Sequence, residues 1–156
     1  MLRHNQVQKR YIALLYGKIP RKFEVSLSLR KNELRSGERM VQVDAAGKNA
    51  RTVFHLDKYC NDASLVQVEI TTGRTHQIRV HAAHSGHPVA GDPKYGNRGF
   101  NRSLKKAGLR RMFLHAESLT LQLPLTDTIT NISAPVPDEL GIFLEKYCGV
   151  NEKERD

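Results

Sequence analysis

The nine residues Gly73 to His81, G-R-T-H-Q-I-R-V-H, constrain the fold of this chain more than any other stretch. They follow a run, Leu65 to Thr71, whose apolar and β-branched content reads as a strand, and they open a segment that reads as a helix over Thr75 to Ser85. Thr75 stands at the expected N-cap and Gly86 at the expected stop. Such a strand-turn-helix unit presents its basic groups at a helix N-terminus, where free backbone N–H groups already favour phosphates and carboxylates. Directly after it, Gly86 to Gly96 (G-H-P-V-A-G-D-P-K-Y-G) is punctuated by glycine and proline and reads as a loop of the kind that carries functional groups.

The remaining pattern is rich in strands. Residues 10 to 16 are apolar on both faces, as in a central strand. Phe23, Val25, Leu27 and Leu29 alternate with polar residues at period two, which reads as one half-buried strand. Met40 to Val43, Arg51 to Leu56, and Leu119 to Leu123 pairing back through Pro124 to Asp127 with Ile129 to Ser133 complete the β candidates. Helical signals are a short turn at Ser103 to Ala107 closed by Gly108, and a final helix from Asp138 as N-cap, with Leu140, Phe143, Leu144 and Tyr147 along one stripe. The expected class is α+β, a mixed or antiparallel sheet with helices grouped beside it. The 156 residues are expected to form one domain over 1–148, with a polar tail at 149–156.

Lysine and arginine number 25 against 16 acidic residues, a formal charge of +9, and the cations are spread along the chain. That distribution reads as a charged face on a fold, made for a polyanionic partner. The start of the chain lacks the apolar core of a signal peptide, and no run is long enough to span a bilayer. Cys60 and Cys148 lie far apart without a C-x-x-C spacing and are expected to be reduced thiols of a cytoplasmic protein. His76, His81, His84 and His87 suggest a metal-dependent hydrolase, but their spacing lacks an interleaved acid and Gly86-His87-Pro88 breaks the helix. No metal is expected. No dinucleotide or P-loop glycine pattern is present, so no cofactor is expected either.

Taken with Gln8 to Leu14 (Q-K-R-Y-I-A-L) and Arg110 to Ala116 (R-R-M-F-L-H-A), the Gly73 to His81 and Gly86 to Gly96 segments resemble the RluA/RluC-type pseudouridine synthases over about residues 6 to 145. Lys31 to Arg39 and Gly47 to Thr52 are similar to the branch acting on large-subunit rRNA. The resemblance implies a uridine-to-pseudouridine isomerase. It also implies catalytic roles for Tyr11, which would stack on and orient the uracil, for Arg79, which would pair with the nucleophilic aspartate, and for Leu114, which would pack against the base. Arg79 suits its role because a guanidinium is planar and permanently charged. Lys9, Arg10, Arg74, Thr75, His76, Gln77, Arg111 and His115 are the expected RNA contacts.

The nucleophile motif of that family, H-R-L-D-x-x-T-S-G, is absent, and only ten residues precede Tyr11. His55-Leu56-Asp57 is not a substitute, because it follows the tyrosine motif and lacks both the arginine and T-S-G. The chain is therefore expected to be a carboxy-terminal portion of a synthase, inactive alone. The alternative is a non-catalytic RNA-binding module derived from such an enzyme. Arg79 is expected to face solvent or an anion, and uncovered strand edges are expected to drive self-association.

Overall fold

A computed structural model describes residues 7–123 and 125–149. In chain order the elements are β1 (Val7–Tyr16), β2 (Lys22–Ser26), β3 (Leu29–Glu33), β4 (Arg39–Val43), β5 (Arg51–Cys60), β6 (Ala63–Ile70), α1 (Gln77–His84), α2 (Arg98–Lys106), β7 (Leu114–Leu123), β8 (Thr128–Ser133) and α3 (Asp138–Cys148). Six strands form one sheet in the order β2-β5-β6-β1-β7-β8, and β3 and β4 form a separate hairpin. Every pairing is antiparallel. The α+β expectation holds, and the sheet is the antiparallel kind.

The sheet carries helices on both faces, which explains why Tyr11 to Leu15 of β1 are apolar on both sides. Ala13 and Leu15 pack with Ile78 and Ala82 of α1, whereas the intervening Leu14 packs with Phe100 and Leu104 of α2 and with Leu140 and Phe143 of α3. Ala13, Leu14 and Leu15 are completely buried. Each such leucine contributes roughly 1.5–3 kcal/mol relative to exposure, so β1 is the spine of the fold.

Five expectations need correction. The alternating run from Phe23 to Leu29 is split: Phe23 and Val25 belong to β2 in the main sheet, and Leu29 opens β3 in the hairpin. The crossing at Leu27 is held by buried His81, whose Nε2–H donates to the Leu27 carbonyl at 2.8 Å. Period-two alternation reports which side is buried, not which sheet buries it. Thr75 is not the cap of α1. His76 occupies that position with φ of 53° and makes no side-chain cap bond, while Gly86, at φ of 86°, does close the C-terminal end. The turn expected at Ser103 to Ala107 is part of a full helix capped by Asn97, whose Oδ1 accepts from the Phe100 amide at 2.8 Å. Asp138 lies inside the first turn of α3, with Pro137 at the cap. Of the expected β7–β8 turn, Pro124 is outside the described residues, as are residues 150–156 of the expected tail.

The cysteines are the fifth correction and the largest in consequence. Cys60 and Cys148 are joined in a disulfide with Cα atoms 4.8 Å apart. Their separation of 88 residues hid this, because only the tertiary fold brings the end of β5 and the end of α3 to one corner. A bridge closing so long a loop restricts the unfolded chain strongly, by typically about 2–4 kcal/mol. Cys148→Ser should lower the unfolding free energy by that amount in urea, and a reducing agent should do the same to the parent. A midpoint indifferent to both would show that the thiols do not pair.

Candidate active site

The motif at Gly73 to His81 is locked in place by polar groups that are all satisfied. The Gln77 amide nitrogen donates to the Arg51 carbonyl at 2.9 Å and to Thr52 Oγ1 at 3.1 Å, and its oxygen accepts from Thr72 Oγ1 at 2.7 Å and from the Arg74 amide at 3.1 Å. Because Thr52 Oγ1 already accepts from Gln77, its hydroxyl donates to His81 Nδ1 at 2.8 Å. The second ring nitrogen of His81 then donates to Leu27, as above. Burial pushes the His81 imidazole below its ordinary pKa, so it is a neutral structural group rather than a cation. Gln77, Thr52 and His81 are all buried. The loop before α1 is thereby fixed to β5, and the helix itself to the β2–β3 crossing.

Arg79 projects from this fixed helix. Its Nε and Nη2 donate to Asp92 Oδ2 and Oδ1, each at 2.8 Å. Its guanidinium lies 5.1 Å from the centre of the Tyr95 ring. The Asp92 side chain is 0% exposed and that of Arg79 15%. Asp92 Oδ1 also accepts from the backbone amides of Lys94 and Tyr95 at 2.9 and 3.1 Å. Burial opposes the ionised carboxylate, but the Arg79 hydrogen bonds and these amides outweigh it and hold Asp92 below the ordinary aspartate range. The expectation that Arg79 faces solvent or an anion is therefore corrected: the loop at Gly86 to Gly96 supplies its carboxylate. Among the described residues, Arg79 Nη1 makes no hydrogen bond, and Arg79 lines an open cleft.

That cleft, about 210 Å³, is lined by Lys9, Tyr11, Ile70, Gly73, Arg74, His76, Gln77, Ile78, Arg79 and Leu114. All three residues expected to be catalytic meet there. Tyr11 arrives from β1 beside an irregularity in its pairing with β7, where Arg10 faces Ser118 but Tyr11 faces Ala116, so that Glu117 is the extra residue. Bulges of this kind re-aim side chains and recur beside active sites. Leu114 starts β7, directly after fully buried Phe113. His76 reaches the site edge, with Nδ1 2.9 Å from the Tyr95 hydroxyl, which itself accepts from the Val41 amide of β4 at 2.9 Å.

Of the expected RNA contacts, Lys9, Arg74, His76 and Gln77 line this cleft, and Thr75 lines a neighbouring one. The Gln77 amide is nevertheless wholly used by β5 and the loop before α1. Arg10, Arg111 and His115 are elsewhere, bonded respectively to Glu69 at 3.4 Å, Glu139 at 3.2 Å and the Ala134 carbonyl at 3.1 Å. Histidines 76, 81 and 87 turn to different partners, His87 to the Tyr16 carbonyl at 2.8 Å. Among the described residues no group of three or more His, Cys, Asp or Glu is arranged to hold a metal. Sequence reasoning missed Asp92 and Tyr95 as partners of Arg79. The available signal was Asp92 in G-D-P-K-Y-G, since Asp readily accepts from the amides two and three residues on.

Replacing Asp92 by Asn should cost about 3 kcal/mol near neutral pH, because a buried guanidinium loses its counter-charge. The depressed folded pKa sets the sign. The contribution is complete above the ordinary aspartate value of about 3.9 and is lost as pH falls below it, so the parent and Asp92→Asn should converge in acid. Denaturant titrations across that range that run parallel would contradict this account of the pair.

With this geometry in view, the comparisons with known proteins are consistent in direction. Residues 1–84 match the RNA pseudouridylate synthase family. The ribosomal large subunit pseudouridine synthase C of Haemophilus ducreyi is 44% identical over 146 residues, covering 93% of this chain and 46% of that protein. The protein of that name from Escherichia coli (strain K12) is 43% identical over 148 residues, again 93% of this chain and 46% of the relative. The chain thus spans a little under half the length of these relatives. Among solved structures, human RNA pseudouridylate synthase domain containing 1 is 28% identical with a TM-score of 0.70, covering 85% of this chain and 56% of that one. Human RNA pseudouridylate synthase domain containing 4 shares the fold, with a TM-score of 0.68 at 23% identity over 90% of this chain and 62% of that one. A half-chain match that includes the Tyr11 strand and the Arg79 helix shows that this chain belongs to the RNA pseudouridylate synthase family.

Proposed function

We propose that this chain supplies the base-binding side of a pseudouridine synthase site acting on large-subunit rRNA. The observation that carries the reading is the meeting of Tyr11, Arg79 and Leu114, from three distant parts of the chain, in one cleft. Tyr11 offers a ring for stacking a uracil turned out of its helix, and Leu114 offers apolar packing. Arg79, held on one edge by Asp92, keeps Nη1 for the carboxylate that attacks the ribose. Lys9, Arg74 and His76 at the rim are placed for phosphate and sugar contacts.

The attacking carboxylate is not one of the described residues of the cleft, whose lining contains no Asp or Glu. Asp92 is sealed off and doubly bonded to Arg79, and Asp57 is an exposed residue at an irregularity of β5, outside the lining. Isomerisation therefore requires a carboxylate delivered on an H-R-L-D-type segment. The chain should bind structured rRNA fragments with a log K against log salt slope of about −3 to −5, for roughly 4–6 neutralised phosphates, and should not by itself form pseudouridine. A flat salt response in fluorescence anisotropy would overturn the RNA reading. Turnover by the chain alone that vanishes in Asp57→Ala would overturn the assignment of Asp57. A catalytic half differs from a pure binding module in one respect. Addition of an H-R-L-D-bearing segment from a curated relative should generate pseudouridine with the parent but not with Arg79→Ala.

Among the described residues no helix is long and apolar enough to cross a membrane. The proposed rRNA substrate is what argues for the cytoplasm, where a disulfide such as Cys60–Cys148 is uncommon. The edge strand β8 has no charged residue, and Ile129 and Ile132 are 65% and 54% exposed. Uncharged, apolar edges invite pairing with a second copy. Light scattering should show a concentration-dependent dimer that Ile132→Lys abolishes. A monomer throughout would refute it.

A further inference from the structure

A second and larger cleft, about 460 Å³, opens beside the first, between the β3–β4 hairpin and the loop at Gly73 to Thr75. Its charged lining residues are Arg30, Lys31, Lys48 and Arg74, with no Asp or Glu among them. Of these, Arg30 is partly engaged by Asp44 at 3.5 Å. Arg74 is held by its Nε, which donates to the Asn49 carbonyl at 2.9 Å, and among the described residues its outer nitrogens make no hydrogen bond. Lys31 and Lys48 are exposed, and among the described residues neither has a carboxylate partner.

The cleft is built rather than incidental. The turn carrying Lys48 lies flat on β3, with reciprocal bonds of 2.9 Å between the backbones of Leu29 and Lys48. A side-chain carbon at Gly47 would collide with the Leu29 carbonyl, so only glycine permits that approach. The hairpin is moored to the active-site loop: the Val41 amide donates to the Tyr95 hydroxyl, and Lys94 Nζ reaches the Arg39 carbonyl at 2.7 Å and Glu38 at 2.9 Å.

Gly73 and Arg74 line both clefts, so one polyanion can run from the first into the second. The chemistry of the two differs. The first holds the Tyr11 ring, whereas the lining of the second has no aromatic side chain and no side-chain amide. Its arginines are already engaged, Arg30 by Asp44 and Arg74 by the Asn49 carbonyl, and its cations without a carboxylate partner among the described residues, Lys31 and Lys48, are point charges suited to phosphates. We propose that the hairpin cleft seats the sugar-phosphate backbone of nucleotides flanking the uridine, fixing the strand by charge alone. This rests on the reading that the first cleft receives that uridine.

The test compares Lys31→Gln/Lys48→Gln with a control, Lys105→Gln/Lys106→Gln, which removes two exposed cations from α2. Both are titrated against oligo-U and oligo-A of equal length across a salt series. Lys31→Gln/Lys48→Gln should flatten the slope by about 2, roughly one per phosphate contact, equally for both oligomers, while the control keeps the parent slope. An unchanged slope in Lys31→Gln/Lys48→Gln, or an equal change in the control, overturns the cleft assignment alone. A loss confined to oligo-U would show base reading and overturn it too. Salt-independent or absent binding by the parent would instead overturn the RNA reading on which it rests.

Discussion

The placement of α1, and with it of Arg79, depends on the buried relay that runs from the Gln77 amide through Thr52 to the His81 ring and on to the Leu27 carbonyl. Polar groups in a low-dielectric interior are costly when unpaired and rigid when fully paired. Here every donor and acceptor of the Gln77 amide is matched. The relay ties three non-adjacent segments, the Gly73 loop, strand β5 and the β2–β3 crossing, to one helix. The orientation of α1, and so of Arg79, follows from it. The left-handed backbone of His76 at the helix start is tolerated because this scaffold holds the residues on both sides.

On that scaffold, Arg79 and Asp92 solve a problem of charge. Under the proposed reading, a guanidinium that meets a reacting carboxylate has to be held in one orientation and stay stable when no substrate is present. Asp92 takes the Nε edge in a two-pronged pair and stiffens it through its own backbone bonds to Lys94 and Tyr95. The remaining edge is left for the cleft. The same Gly86 to Gly96 loop carries Tyr95, whose hydroxyl joins His76 to strand β4. The cleft at Arg79 and the basic hairpin cleft are consequently mechanical neighbours, linked by a few direct hydrogen bonds and not by a flexible connection.

The opposite face of the sheet is built for stability. Leu14, Phe113, Leu140 and Phe143 form one cluster with Cys60 and Cys148, and the disulfide lies at its margin. The helix α3 that it fastens packs on Leu14 of β1 and on Phe113, the residue before β7, and so backs the strand of Tyr11 and the start of the strand of Leu114. Rigidity behind the site is what allows a shallow, open cleft in front of it to keep a defined shape.

Much of this was legible in the order of residues. Periodicity located every strand but β3, which it ran together with β2, and the helices α1 and α3, because burial on one or both faces imposes period two or 3.6 on any chain. The motifs around Tyr11, Arg79 and Leu114 marked the cleft, since chemistry of this kind needs those side chains in a fixed local context. Local patterns could not say that the Phe23 to Leu29 run changes sheets, that Asp92 partners Arg79, that Gln77 is structural, or that Cys60 meets Cys148. Each of those is a contact between segments far apart in sequence, chosen by how the sheet closes and which helix covers it. Sequence alone determined the elements and the chemical groups at hand; the tertiary structure decided their partners, because pairing energies act through space and depend on burial that no single segment contains.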